Sequence, residues 1–348
     1  MDINQLSKRF ILFANDECAD SSKLYETLSK ETAKDEELLI ICSHAKEGQP
    51  IPNLFFGAVH YLLLKGVRHE LSDYYLSLVE EPKKSTHAFV HFKSFCEEYK
   101  EEIIHLLQTK LVQTNEVRRC AYLYPSFSCI YEKTNKPLAL IEIGTSAGLQ
   151  LLCDQYQYSY DGLHRYGNLN SPLSLSSEII GENVPSFKKE AYPVHSRCGI
   201  DLHINDLRDQ EDICWLKALI WPEHMERRNE FEAAASILKE SVDELNLVEG
   251  DGIELLPQIV EGLPQNVTVC VFHTHVANQM PLETKKQLLQ TIDELGRDRN
   301  IFHLYNNISD RFLHLDSYID GRKTEETLAE TAGHGEWFSW NVQETTHV

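Results

Sequence analysis

Over the first 130 residues, apolar side chains recur three and four positions apart, the spacing of one buried helical face. The stripes are Phe10, Phe13 and Ala14, then Leu24, Tyr25 and Leu28, then the run from Leu38 to Cys42. Residues 53–64, NLFFGAVHYLLL, are apolar nearly all round and predict a helix buried in the middle of a bundle, with Gly66 placed to stop it. His60 lies inside that run and reads as a hydrogen-bonded core histidine. After a break at Pro82, the residues Phe89, Phe92, Phe95, Tyr99, Ile103 and Leu107 form another helical stripe, read as packing. No two-residue alternation is sustained here, so residues 1–130 are expected to be a helical N-terminal region.

The pattern changes at Leu138. Leu138–Ile143 is a short apolar run broken only by Glu142, which predicts a strand covered on both faces in a parallel sheet. Gly144 and Gly148 punctuate the turn, and a helix is expected next, its free N–H groups and positive dipole end aimed into a crevice. Tyr156, Tyr158 and Tyr160 then alternate with polar residues, as do Leu173 and Leu175, so residues 155–192 read as a β insertion whose tyrosines pack. Residues 194–204 predict the second parallel strand. Residues 213–221 predict a helix closed by Pro222, with Trp215 and Trp221 read as packing rather than adenine stacking. Residues 247–257 predict the third strand end and its turn, and residues 267–272, VTVCVF, a buried fourth strand. An amphipathic helix over 282–295, a fifth strand over 301–305, a sixth over 312–319 and a seventh at EWFSW, folding back beside the sixth, complete the pattern. The expected fold class is α/β, with residues 131–348 forming a seven-stranded sheet.

Charge narrows the partners. Lys plus Arg 33 against Asp plus Glu 54 gives 33 − 54 = −21, a balance that repels nucleic acid and anionic membrane surfaces and leaves a small molecule or a protein as the expected substrate. The nine cysteines contain no C-x-x-C pair, and no apolar stretch reaches the roughly 18 residues of a membrane span. The expectation is a cytoplasmic protein with reduced thiols, bound to neither membrane nor metal.

Candidate chemistry gathers around the glycines. Gly144-Thr145-Ser146-Ala147-Gly148 spells the G-x-S-x-G elbow of α/β-hydrolases, with Ser146 as nucleophile and His334 where a triad histidine would fall. The helical pattern before residue 137 supplies neither the preceding strands nor the HGGG-like segment of that fold. Glu142-x-Gly144-x-x-x-Gly148 also resembles motif I of the class I S-adenosylmethionine-dependent methyltransferases. That resemblance implies a Rossmann-like sheet and S-adenosylmethionine as cofactor. Glu142 would lie near its methionine end, and Gly144, Thr145, Ser146 and Gly148 would form the cofactor loop. Asp201 would hold the ribose, with Asp206 and Glu223 as alternatives, and Asp251 would lie beside adenine. His273 ends the fourth strand, where an open sheet presents groups to its crevice, and is the expected base or acceptor-positioning group; His275 follows it. Methyl transfer to a small-molecule or protein acceptor is the expected function. A Ser146 hydrolase and a methyltransferase-shaped binding protein without catalysis are the alternatives.

Residues 113–125, QTNEVRRCAYLYP, crowd polar groups before an apolar stretch, and Thr114 or Asn115 reads as a helix cap. Together with AVHYLLL, E-x-G-x-SAGL, GIDL, WPE, the GD…LP turn and VFH, in that order, this segment resembles a bacterial family known as domain of unknown function 2332. The likeness covers nearly the whole chain and implies a methyltransferase-like fold with an added helical part. It also implies that Asn115, Glu116 and Arg119 reach the acceptor side. The chain departs from the family pattern at Arg118, Gln150, residues 203–206 and residues 305–307.

Overall fold

The computed structural model describes residues 2–113, 115–187 and 191–345, with 342–345 described by backbone alone. In chain order its helices and strands are α1 (Ile3–Leu12), α2 (Lys23–Thr32), α3 (Glu36–Cys42), α4 (Ile51–Leu64), α5 (Ala88–Glu98), α6 (Lys100–Thr109), α7 (Cys120–Thr134), β1 (Leu138–Ile143), β2 (Gln157–Ser159), β3 (Tyr166–Gly167), β4 (Ser174–Ser176), β5 (Glu178–Ile179), β6 (Val194–Asp201), α8 (Gln210–Ala218), α9 (Met225–Glu240), β7 (Leu245–Glu249), α10 (Gly252–Glu261), β8 (Thr268–His273), α11 (Leu282–Asp298), β9 (Ile301–Tyr305), β10 (Leu313–Ile319), β11 (Arg322–Thr331) and β12 (Trp337–Thr345). They form two compact units, residues 1–114 with 208–229 and residues 115–207 with 230–348.

The first unit is helical. Short polar side chains start its helices by accepting from free backbone N–H groups: Asp2 for α1, Ser22 for α2, Asp35 for α3 and Asp209 for α8. Its core is aromatic, with Phe10, Tyr25, Phe55, Phe56, Phe92 and Phe95 wholly or almost wholly buried. α4 is buried nearly all round, and Gly57 lets α8 approach, since a Cβ there would lie 2.9 Å from a methyl of Leu219. His60 is a satisfied core histidine: Nδ1 meets the Ala218 carbonyl at 3.0 Å and Nε2 the Ser77 hydroxyl at 2.8 Å. Trp215 and Trp221 donate from their indoles to the Leu111 carbonyl and to Asn53. Glu223 accepts from Leu24 N and Ser22 Oγ at the start of α2, and its segment is no strand, which removes it as a ribose ligand.

The second unit carries a nine-stranded sheet in the order β5-β12-β11-β10-β9-β8-β1-β6-β7 and a small sheet β3-β2-β4. The class is mixed α/β with a large, mostly parallel sheet, but the sheet has nine strands where seven were expected. From β7 to β9 all pairings are parallel, whereas β9, β10, β11 and β12 form an antiparallel meander and β5 adds a short parallel edge. β12, which contains EWFSW residues, lies beside β11 rather than beside β10. The sequence concealed β11 because its residues are largely polar; buried Glu326 is neutralised by Lys133 at 2.6 Å.

The helix expected after the glycines is also absent. Residues 149–155 form a kinked 3-10 stretch instead. Its carbonyls are taken by side chains: Tyr156 Oη donates to Leu149 O, Arg197 Nε to Leu151 O and Tyr158 Oη to Cys153 O. Leu149, Leu151, Leu152 and Cys153 are all buried, so the segment has no polar face to turn outward as an amphipathic helix would.

Tyr160 does similar work on α7. Pro125 lacks the N–H that would bond the Ala121 carbonyl four residues earlier, and Tyr160 Oη donates to that carbonyl at 2.7 Å. Tyr160→Phe should therefore lower unfolding free energy by about 1 kcal/mol, read from urea midpoints, while Tyr160→Phe combined with Pro125→Ala should recover most of it.

Candidate active site

Strand order reverses at β1, with β6 and β7 on one side and β8 and β9 on the other. In an open α/β sheet that reversal opens a crevice at the carboxyl ends of the strands. The residues leaving β1 lie there. Gly144 N and Thr145 N both donate to the Ile200 carbonyl, at 2.8 and 3.2 Å, which lays the loop over the end of β6. Gly144 and Gly148 hold φ of +76° and +84°, a region glycine enters without strain. Gly199, to which the sequence assigned no role, is what permits the contact, because a Cβ there would stand 2.6 Å from Thr145 Oγ1.

Each polar group of the loop is held. Thr145 Oγ1 donates to Glu142 Oε2 at 2.6 Å. Ser146 N donates to Asp201 Oδ2 at 2.8 Å, and His203 N donates to Asp201 Oδ1 at 3.2 Å. Asn115 clasps the loop with both ends of its amide, donating to Ser146 Oγ at 2.6 Å and accepting from Ala147 N at 3.2 Å. Asn205 adds a second donor to Ser146 Oγ at 2.9 Å. Ser146 has φ of +53° like a strained elbow, but its oxygen is bonded by two amide donors and, among the described residues, by no histidine. His334 is instead 3.5 Å from Glu336. Among the described residues, no side chain that could serve as general base is hydrogen-bonded to that serine.

Burial governs Glu142. It is 3% exposed, and desolvation pushes its pKa up to about 8; Asp201 acts in the same direction, while the Thr145 bond and the Arg119 charge oppose it. Near neutral pH the carboxyl largely keeps its proton. Asp251 is exposed and caps α10, with Oδ1 accepting from Ile253 N at 2.8 Å and Glu254 N at 3.3 Å.

On the other side of β1, Arg119 Nε donates to the Gly333 carbonyl at 2.9 Å, and Nη1 lies 3.5 Å from Thr274 Oγ1. Thr274 in turn donates to Gln150, whose amide donates to the Glu116 carbonyl. Glu116 Oε1 accepts from Arg118 N at 3.4 Å and caps the short turn before α7, a cap the sequence reading gave to Thr114 or Asn115. Thr114 lies outside the described residues. Arg118 forms a buried ion pair with Glu230 at 2.8 Å. Asp206 is half-buried directly after Asn205.

His273 is wholly buried, and neither ring nitrogen has a partner among the described residues. Its ring packs 5.2 Å from that of His303 and 5.9 Å from Tyr305, and burial lowers its pKa to about 3. His275 follows at φ +62°.

The fold and this loop thus define an open α/β protein whose strand order reverses at β1, beneath the glycine loop. The chain belongs to the family described as uncharacterized protein conserved in bacteria (DUF2332), whose model matches residues 7–340. No match is found among curated proteins or solved structures. Among the described residues, no helix is long and apolar enough to cross a membrane and no group of three or more His, Cys, Asp or Glu could hold a metal ion.

Two outcomes follow from these geometries. The folded pKa of Glu142 lies above its ordinary 4.5, so the folded state binds the proton more tightly, and that contribution is complete below about pH 4.5 and lost as pH rises toward 8. Urea midpoints of Glu142→Gln should accordingly gain on the wild type between pH 5 and 8. Asp251→Ala should cost about 1 kcal/mol of stability through the lost cap, measured the same way.

Proposed function

We propose that the crevice at the carboxyl ends of β1, β6 and β7 binds S-adenosylmethionine and that the protein transfers its methyl group to a small-molecule or protein acceptor. The observation that carries this reading is the glycine loop leaving the central strand at the reversal point, with the Asp201 carboxylate at the end of the neighbouring strand. The run β7-β6-β1-β8-β9 is compatible with the parallel half of a Rossmann-like methyltransferase sheet.

The residues present suit such a cofactor. Asp201 accepts from Ser146 N and His203 N at the carboxyl end of β6, and in this reading the same carboxylate accepts from the ribose hydroxyls. Asp251 caps α10 through Oδ1 and keeps Oδ2 for an adenine amino group. Glu142, through Thr145, sets the loop at the methionine end. The cofactor, when bound, supplies an electrophilic sulfonium methyl. The protein's task is then to hold an acceptor oxygen, nitrogen or sulfur in line with it, and positioning of that kind accounts for a large part of the rate. Asn115 fixes the loop between the two sides, while Glu116 and Arg119 lie toward β8. His273 is not used as a base in this reading, because its ring lies on the strand face that Val269 and Val271 pack into the core with α10 and α11, and burial lowers its pKa to about 3.

Isothermal titration with S-adenosylhomocysteine tests the proposal. The wild type should bind in the micromolar range, and Asp201→Ala should weaken binding at least tenfold, about 1.4 kcal/mol. Absence of binding to the wild type removes the proposal.

A further inference from the structure

We propose that Asn306 and His275, beside Arg119, form a receptor for a carboxylate carried by the acceptor molecule. This deepens the methyltransferase reading and rests on it for the word acceptor, though not for the carboxylate.

The argument begins with an amide whose orientation is fixed. Asn306 is wholly buried just beyond β9, and its Oδ1 accepts from His275 N and from Asn307 Nδ2, both at 2.8 Å. Rotating the amide would set N–H against N–H, so the oxygen must face those two donors. Nδ2 then faces the other way, buried and without an acceptor among the described residues. An amide nitrogen only donates, so what it requires is an acceptor atom. The residue bonded to Asn306 has the same need. His275 Nε2 is also buried and unpartnered, and a neutral imidazole can place its proton there. The ring is kept neutral by burial and by the positive charge of Arg119, which lower its pKa to about 3.

His275 also holds φ of +62°, a backbone region that bulky residues rarely occupy and that persists where surrounding structure enforces it. Its N–H bond to Asn306 is one such constraint. Strain of this sort places a side chain where relaxed backbone would not.

Two donors within one hydrogen-bonded pair of residues, in the field of a guanidinium, fit an anion with two oxygens. A monoanion suits the local charge, because Glu142 largely keeps its proton and Arg119 supplies one positive charge. At long range the net charge of −21 repels anions, so such a ligand needs this local field to be held. Topology agrees: His275 and Asn306 follow β8 and β9, on the side of β1 opposite to Asp201, which ends β6, and Asp251, which follows β7. Cofactor and acceptor would thus approach from opposite flanks of the central strand.

The probe is 13C-acetate, its NMR linewidth measured with the full-length protein at constant ionic strength. The wild type should broaden the signal, and unlabelled acetate, but not chloride, should reverse the broadening. Asn306→Asp replaces the amide N–H with a second acceptor and should weaken binding at least tenfold. His275→Asn keeps a residue that tolerates positive φ while removing Nε2, and should weaken it as well if the aspartate variant fails to fold. S-adenosylhomocysteine affinity should stay within twofold in the folded variants. The inference is overturned by a wild type that shows no competed broadening, by equal displacement with chloride, or by folded variants that bind acetate as the wild type does. Acetate binding in a protein that ignores S-adenosylhomocysteine sustains the receptor and removes only the methyltransferase reading.

Discussion

The bond from Ser146 N to Asp201 is the constraint on which the crevice depends. β1 is buried along its whole length between β6 and β8, so the chain must turn sharply where it leaves the sheet. Turning there exposes backbone N–H groups that need acceptors. Ile200 O takes two of them, Asp201 a third and Asn115 a fourth, so the loop is held by main chain on one flank and by carboxylate and amide on the other. Because the 3-10 stretch that follows is too short and kinked to act as a helix dipole, the loop's shape comes from these bonds rather than from a helix behind it.

Where burial alone decided structure, the sequence was easily read. β1 and β9 coincide with their apolar runs, and β6, β8, β10 and α11 lie within a few residues of theirs. Reading failed where side chains replace backbone partners or where charge is buried in pairs. Residues 149–155 look like the start of a helix until Tyr156, Arg197 and Tyr158 are seen to occupy their carbonyls, bonds between residues that periodicity does not connect. β11 looks like a polar loop until Lys133 is placed against Glu326. Asp251 shows the limit for sites: a carboxylate that caps a helix and one that meets a ligand are spelled alike, and here the capping half is directly visible.

The histidines of the sheet make a related point about what strand-end chemistry means. His273 and His303 sit on adjacent strands with both rings buried, and burial drives both toward the neutral form. Tyr305 stacks on His303 with centroids 4.4 Å apart and its hydroxyl lies 3.4 Å from Asp316, whose own pKa burial raises to about 6. The two histidines and Tyr305 are thus held in uncharged form beside Asp316, which lowers the desolvation cost of placing their rings in the sheet. A histidine at the last position of a parallel strand is therefore not by that fact a base. Its face decides, and alternation gives His273 the same face as Val271 and Val269, which belong to the core with α10 and α11.

That alternation also explains why polar groups that meet a neighbouring loop lie after these strands rather than within them. Inside β8 and β9 each side chain is committed to one packed face or the other. Past Tyr305 and His273 the chain is released from the pleat, and positive φ at His275 and Asn307 turns it away from extended geometry. The bond from His275 N to Asn306 then couples the two strand ends, so that neither loop can move without disturbing the other. The same logic operates across β1, where Asp201 couples the end of β6 to the glycine loop. The crevice is thus bounded on both flanks by side chains that accept from the backbone of a neighbouring strand's loop, a way of fixing loop positions that makes no demand on the apolar pattern and therefore leaves no trace in it.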